Sequence, residues 1–394
     1  MAGFALDPEQ EQWCERLRAL AAERLGPLAG KGEPGRVNRP LLAALGEHGL
    51  LERIFSAGAL ELCLLRESLA YGCTEAETAL ALQGLGAHPV LRAGSAAQRE
   101  RWLPGVRAGR TVAAFALSEP GAGSDAAALA LAAEPDGGGA GGRGKGAHGG
   151  GAGGGWRLTG EKRWISNAPE ADFYTVFART GEGPGAKGVS AFLVPADRPG
   201  LTGEPLDMLS PHAIGSLTFD GVPVGPKDLL GEPGRGFRVA METLNLFRPS
   251  VGAFAVGMAR AALDATVAHT AHRSAFGGVL GDLQAVAHRV AEMATRTEAA
   301  RLLVYAAAGA YDADSASPDV PGRAAMAKLL ATETAQYVVD HAVQLHGAVA
   351  LQRGHLLEHL YREVRAPRIY EGASEVQRTI IARSLYGRAA GVAR

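Results

Sequence analysis

Near the C-terminus, Arg368-Ile369-Tyr370-Glu371-Gly372-Ala373-Ser374-Glu375-Val376-Gln377-Arg378 sets a carboxylate between an aromatic residue and a glycine. An apolar-periodic run, Val376 to Leu385, follows it. This reads as a loop entering a helix, with Ser374 as the N-cap. A carboxylate carried by such a loop into an apolar cavity has a raised pKa and makes a competent general base near neutral pH. By itself the stretch reads more simply as a solvated loop acid, so the other chemistry-bearing stretches decide its weight.

Four of these stand out. Phe115-Ala-Leu117-Ser118-Glu119-Pro120-Gly121-Ala122-Gly123-Ser124-Asp125 is a strand running into a glycine-bearing turn. Its glycines let backbone approach a ligand, and Ser118 and Ser124 offer hydroxyls to a heteroaromatic edge or a phosphate. A dinucleotide fingerprint fails here, because the third glycine and a following βαβ pattern are absent. In Glu161-Lys162-Arg163-Trp164-Ile165-Ser166-Asn167 an aromatic residue precedes a hydroxyl by two positions, so strand geometry puts both on one face as a platform for a flat ring. The same pattern also fits a core tryptophan with a solvent-facing serine. Arg273-Ser-Ala-Phe276-Gly277, with Gln284 beyond it, ends a helix in a cation that can meet a pyrophosphate or simply complement the helix dipole. Val343-Gln344-Leu345-His346-Gly347 is a glycine-terminated helix end, which as an isolated feature is a C-cap.

Two matches are decoys. Gly139 to Lys145 spells most of a phosphate-binding P-loop, but Gly146 stands where the Ser or Thr belongs, and no strand or helix flanks it. His355-Leu-Leu-Glu358-His359 has the spacing of an inverted zincin site, yet no glutamate-bearing ligand helix follows, so no metal is expected.

The elements that must position these residues fall into three parts. Residues 1–110 read as a helical domain: Asp7-Pro8-Glu9 is an N-cap with proline in the first turn, followed by Trp13, Leu17, Leu20 and Leu25 at helical spacing. Residues 111–225 read as a small β domain, with strands expected over Thr111–Leu117, Trp156–Thr159, Phe173–Arg179, Val189–Val194 and Ser216–Phe219. Inside it, 13 of the 22 residues from Glu134 to Gly155 are glycine, too few apolar groups to offset ordering entropy, so a flexible surface insertion is expected. Residues 226–394 read as a bundle of long amphipathic helices, Phe237–Phe247, Pro249–Arg273, Leu283–Ala310, Arg323–Leu345 and Val376–Leu385.

Composition narrows the class. The 40 lysines and arginines balance 41 acids, leaving no excess charge to recruit nucleic acid or an anionic membrane. Cys14, Cys63 and Cys73 are odd in number and lack metal-ligand spacing, as buried small hydrophobes of a reducing cytoplasm would. No signal peptide and no membrane span are expected, because no apolar run approaches the length of one. These features describe a cytoplasmic, near-neutral globular protein.

Taken together, in this order and spacing, the motifs resemble the acyl-CoA dehydrogenase family of FAD enzymes, over nearly the whole chain from Leu41 to Tyr386. The resemblance implies a mostly α fold with a central β domain: an N-terminal helical domain, a small β-barrel or sandwich, and a C-terminal four-helix bundle. It implies that Phe115, Leu117, Ser118, Gly123 and Ser124 run beside FAD, and that Trp164 and Ser166 cover its ring. Arg273, Phe276, Gln284 and Gln344 match positions that reach the FAD of a neighbouring subunit, hence a homodimer or homotetramer. Ala373 and Glu375 match FAD contacts after the catalytic loop, while Ser124, Arg248, Tyr370 and Gly372 would line the acyl-thioester site. Glu371 matches the catalytic glutamate of the straight-chain branch, taking the α-proton while hydride leaves the β-carbon, to give a trans-2-enoyl thioester. An electron-transfer flavoprotein or similar acceptor would reoxidise the cofactor.

The chain departs from the family pattern at Ala348 and Ala350, where glycines are usual, and at Asn245 and Phe247, where an acid and a hydroxyl are frequent. The latter pair leaves room for an acyl-carrier-protein thioester beside acyl-CoA. Two other readings remain open at this point. One is an oxygen-using flavin monooxygenase or nitrososynthase on the same fold, which generally lacks a base at the Glu371 position. The other is a non-catalytic flavin-binding subunit.

Overall fold

Asp7 opens the first helix through a capping box, its side chain accepting from the Gln10 amide at 2.8 Å while the Asp7 amide donates to Gln10 Oε1 at 3.1 Å. From there a computed structural model describes residues 6–136, 154–181, 183 and 185–389. The P-loop-like stretch and most of the glycine-rich insertion lie outside the described residues. The chain passes from helices through a middle β part to helices again. Two compact units emerge, one of Met1–Lys31, Ser56–Thr78 and Leu244–Arg394, the other of Gly32–Phe55 and Ala79–Thr243.

The helices are α1 (Pro8–Leu20), α2 (Gly26–Ala29), α3 (Arg39–Glu47), α4 (Leu50–Ser56), α5 (Ala59–Gly72), α6 (Thr74–Ala93) and α7 (Ala96–Arg107), then, after the sheet, α8 (Gly236–His272), α9 (Gln284–Ala313), α10 (Val320–His346), α11 (Leu356–Glu363) and α12 (Ser374–Ala389). In the first unit α10 packs on both α9 and α12, and α5 packs on α1 and α9. Small residues allow close approach: a Cβ on Gly257 of α8 would stand 2.4 Å from the Glu67 carbonyl of α5. Buried Ala324, Ala325, Ala327, Ala331 and Ala335 do the same for α10. Asp312 accepts from the amides of Ala59 and Leu60, satisfying donors at the start of α5.

The second unit holds a mixed sheet ordered β1 (Ala113–Ala116), β4 (Phe173–Arg179), β2 (Ala132–Pro135), β3 (Trp156–Ser166), β7 (Ile214–Val224) and β6 (Leu201–Pro205), with β5 (Val189–Pro195) also pairing β4. Strand β4 is buried on both faces, as its run of apolar residues requires. The sequence foresees β1, β3, β4, β5 and β7 but not β2 and β6. The former is Ala-Ala-Glu-Pro and the latter an exposed edge, and neither carries an apolar alternation.

Two expected helices, Phe237–Phe247 and Pro249–Arg273, are one continuous α8. Pro249 supplies no N–H to the Asn245 carbonyl, but burial of Phe247, Val251, Phe254 and Val256 outweighs that single lost bond. Among the described residues α8 is long and apolar enough to cross a membrane by composition, and 67% of its most apolar window is buried inside the protein, as for a core helix. The three cysteines are free and buried.

Candidate functional site

The loop between α11 and α12 sets the Glu371 backbone. Glu371 has φ 51° and Gly372 φ 99°, consecutive left-handed residues, of which only the second is a glycine. A non-glycine residue in that region costs ~1 kcal/mol, so other groups must hold it. Arg248 Nε donates to the Glu371 carbonyl at 3.2 Å. Gln377 Nε2 donates to the same carbonyl at 3.2 Å and to that of Gly372 at 2.9 Å. Lys328 Nζ donates to the Gly372 carbonyl at 2.7 Å. Thus α8 holds the first carbonyl of the turn, α10 the second, and α12 both. Ser374 is the first residue of α12 rather than the residue before it, and its hydroxyl donates to Glu333 Oε1 at 2.6 Å. Glu333 also pairs with Arg368 at 2.8 Å, tying both ends of the loop to α10.

The Glu371 carboxyl is buried, and its Oε2 has no hydrogen-bond partner among the described residues. Burial pushes its pKa above the ordinary carboxylate value, while Arg66, Arg248 and Lys328 pull the other way. The result is a proton acceptor with an open lone pair. Lys328 is fully buried, and loss of water brings its ammonium down to about 8, with Glu371 opposing that fall. Arg66 Nε donates to Glu77 Oε1, and its Nη1 donates to Ser250 Oγ at 2.6 Å. Arg66 and Glu77 are 3% and 1% exposed, so this pair is wholly interior. Arg248 Nη1 also reaches Asn245 Oδ1 at 3.3 Å. Tyr370, preceding Glu371, is 38% exposed.

The residues expected to form a ring platform, Trp164 and Ser166, belong to the other unit. Arg163 N donates to the Ser118 carbonyl at 3.0 Å, joining the end of β1 to the strand that carries Trp164 and Ser166. Fully buried Lys162 donates to the Leu117 carbonyl at 2.9 Å and pairs with Glu119 at 2.7 Å. Burial lowers this lysine to about 8 against the pull of Glu119. Glu119 also accepts from the Ala130 and Leu131 amides, so the turn after Ser118 is pinned from both sides.

The strand is not regular at Trp164. Its φ is 57°, and the pairing with β7 shifts register between Lys162 and Ile165. Arg163 and Trp164 are therefore both exposed in succession, and simple alternation does not put Trp164 and Ser166 on one face. Trp164 is 46% exposed, and so is not the core tryptophan of the simpler reading.

Gly121 and Gly123 have open space where a Cβ would stand, and neither is left-handed. The protein's own packing therefore does not require glycine at either position. The exposed Gly121 and Gly123, the hydroxyls of Ser118 and Ser124 and the exposed indole of Trp164 are groups that suit a flat cofactor carrying a phosphate. Phe115 meets Phe177 at 4.9 Å between ring centroids.

Arg273 lies just after α8 and lines a cavity of about 600 Å³ with His269, His346, Ala348, Val349 and His355. Phe276 and Gly277 turn a two-residue hairpin, φ 53° and 84°, and Phe276 is 89% exposed. Gln284 starts α9 and Gln344 lies near the end of α10, both exposed, as is Glu375; Ala373 is half-buried. None of Phe276, Gln284 and Gln344 lines the Arg273 cavity. The zincin-like side chains are used otherwise: His355 caps α11, Glu358 pairs with Arg362, and His359 bonds Thr74. Among the described residues no cluster could hold a metal ion.

Lys328, Arg66 and Glu77 are absent from the sequence reading, and Lys162 and Gln377 stand there within quoted stretches without a role. The one local signal is Lys328 itself, a lone cation inside Ala324-Ala-Met-Ala-Lys328-Leu-Leu-Ala331.

Three family descriptions match the chain: acyl-CoA dehydrogenase N-terminal domain over residues 7–110, middle domain over 114–222 and C-terminal domain over 234–386. The bovine mitochondrial short-chain specific acyl-CoA dehydrogenase is 37% identical over 388 residues, 95% of this chain and 90% of that protein. Cyclohexane-1-carbonyl-CoA dehydrogenase of Geobacter metallireducens is 34% identical over 389 residues, 95% of this chain and 97% of that protein. Among solved structures, butyryl-CoA dehydrogenase from Megasphaera elsdenii superposes with TM-score 0.85 at 29% identity, covering 97% of this chain and 99% of that one. A chain solved in work on the electron transferring flavoprotein of Acidaminococcus fermentans gives 0.85 at 31%, covering 97% and 99%. A glutaryl-CoA dehydrogenase from Mycobacterium smegmatis in complex with FADH2 gives 0.85 at 25%, covering 97% and 95%.

Proposed function

Because this chain belongs to the acyl-CoA dehydrogenase family, we propose that it desaturates the α,β-bond of an acyl thioester with Glu371 as the base. It is an FAD-dependent oxidoreductase acting on acyl-CoA. The observation that carries the assignment of the base is the buried Glu371 carboxyl with its unpartnered Oε2, on a left-handed turn gripped from three helices.

The chemistry follows from that geometry. Glu371 Oε2 takes the α-proton, and its raised pKa matches it to so weak a carbon acid better than an ordinary carboxylate would be. Arg66, Arg248 and Lys328 keep the group from being lost to permanent protonation. Bound FAD supplies the acceptor for the hydride of the β-carbon. Phe115, Leu117, Ser118, Gly123, Ser124, Trp164 and Ser166 would hold it, with Ala373 and Glu375 after the catalytic loop. Ser124, Arg248, Tyr370 and Gly372 orient the thioester, and the trans-2-enoyl thioester leaves.

Arg273, Phe276, Gln284 and Gln344 serve the cofactor of a second copy in a homodimer or homotetramer. The division into 1–110, 111–225 and 226–394 is the functional one in this reading, supported by the three matched ranges. An electron-transfer flavoprotein or similar protein takes the electrons, and Asn245 and Phe247 keep carrier-protein thioesters within the substrate class.

Anaerobic titration of the purified holoprotein with acyl-CoAs and acyl-carrier proteins tests this. One of them should bleach the flavin, and Glu371→Gln should abolish bleaching while retaining FAD. A colourless protein that takes up no FAD, or a requirement for reduced nicotinamide and oxygen, overturns the proposal.

A further inference from the structure

We propose that Lys328 is a positioning residue for the base, holding the left-handed Glu371–Gly372 turn through the Gly372 carbonyl and facing the Glu371 carboxylate with a buried charge. The proposal rests on the reading of Glu371 as the base.

A fully buried lysine is costly unless a carboxylate compensates it. Lys328 is 0% exposed, yet none of the ion pairs among the described residues includes it. Its ammonium is spent instead on one backbone carbonyl, at 2.7 Å, in the residue after Glu371. A glutamine in the following helix already donates to that same oxygen at 2.9 Å, so packing of the loop alone does not require a charge there.

The φ of 99° at Gly372 suits glycine, and Gln377 Nε2 stands 2.4 Å from where a Cβ would lie. The turn is therefore set by its donors, and its direction decides where the Glu371 side chain points.

The charges around this pair come from several elements. Arg66 of α5, with Glu77 of α6 bonded to it, and Arg248 of α8 face Glu371. Glu371, Arg248, Glu333 and Glu375 face Lys328, and Tyr370 and Glu363 stand in the same cluster. With Arg66 held by Glu77, and Arg248 turned to a carbonyl, Lys328 is a cation with no carboxylate of its own beside the base. Removing it should raise the Glu371 pKa, so the acid limb of activity should move to higher pH.

Two variants separate the hydrogen bond from the charge. Lys328→Met removes both, and Lys328→Gln keeps an uncharged donor one bond shorter. The readouts are the rate of anaerobic flavin bleaching at saturating acyl-CoA against pH, the substrate concentration at half-maximal rate, FAD content and Tm. Lys328→Met should lose on the order of 10- to 100-fold in rate with FAD retained. Its acid limb should rise by about one pH unit, and half-saturation should stay within about threefold. Lys328→Gln should recover part of the rate and keep the raised limb.

Wild-type rate and pH profile in Lys328→Met overturn the proposal. So does a loss in both variants that follows Tm and FAD content with an unmoved acid limb. Bleaching that survives in Glu371→Gln sinks the assignment of the base instead, which the Lys328 variants by themselves do not.

Discussion

Arg248 donates from Nε to the backbone carbonyl of Glu371 at 3.2 Å, and no bond joins its guanidinium to the Glu371 carboxylate. The arginine thus fixes the loop while leaving Oε2 free to accept a proton. Its charge still acts on the carboxyl through space. A lysine cannot reproduce that division of labour, since it lacks the planar fork that also reaches Asn245. Arg248→Lys should keep FAD and lose about 100-fold in flavin bleaching rate at saturating thioester.

The pH profile should carry the sign of the Glu371 shift. The proposed base works deprotonated, and burial raises its pKa above the ordinary 4.5. The kcat/KM for thioester should therefore fall as pH drops through a value above 4.5, not at it. A limb at the ordinary carboxylate value would place the titrating base in open solvent. Glu371→Gln should remove the limb together with the activity.

The Arg66–Glu77 pair should resist single substitution. Arg66→Met leaves Glu77 buried without its cation and should cost about 3–5 kcal/mol. Adding Glu77→Gln removes the stranded charge, so the double variant should recover a large part of that loss. Urea unfolding of both variants, read by far-UV circular dichroism, measures the difference.

His88 should make the protein acid-sensitive. It is 5% exposed, and burial lowers its pKa from 6.5 to about 4. Thr243 Oγ1 donates to the Val239 carbonyl at 3.0 Å, so the His88 Nδ1 that lies 3.1 Å from that oxygen carries the proton of a neutral ring. The unfolded chain binds the second ring proton first as pH falls. Stability is thus full above pH 6.5 and declines toward pH 4, by about 3 kcal/mol at the lower end. His88→Gln should flatten the dependence of Tm on pH across that window.

Much of the molecule is set by local order in the chain. The 3.6-residue periodicity marks the long helices, and the apolar runs Phe173–Arg179 and Val189–Pro195 mark the central strands, because burial of those faces needs no distant partner to be specified. The glutamate before the last helix, and the order of the dispersed motifs, are likewise legible in residue types and spacing. The sequence also isolates Arg248 beside Pro249, but it cannot say that the helix runs on through that proline.

What tertiary structure alone decides is the fate of the charges and of the backbone at the site. Lys162, Lys328 and Arg66 look in sequence like ordinary solvated cations, yet all three are buried on partners 43, 44 and 11 residues away. Ser374 has the type of a helix cap and becomes a donor to Glu333, 41 residues back. Trp164 and Glu371 take left-handed backbone that neither residue favours. In each case the cost of desolvation or strain is met by groups remote in the chain, and local propensity carries no record of neighbours that only folding brings together.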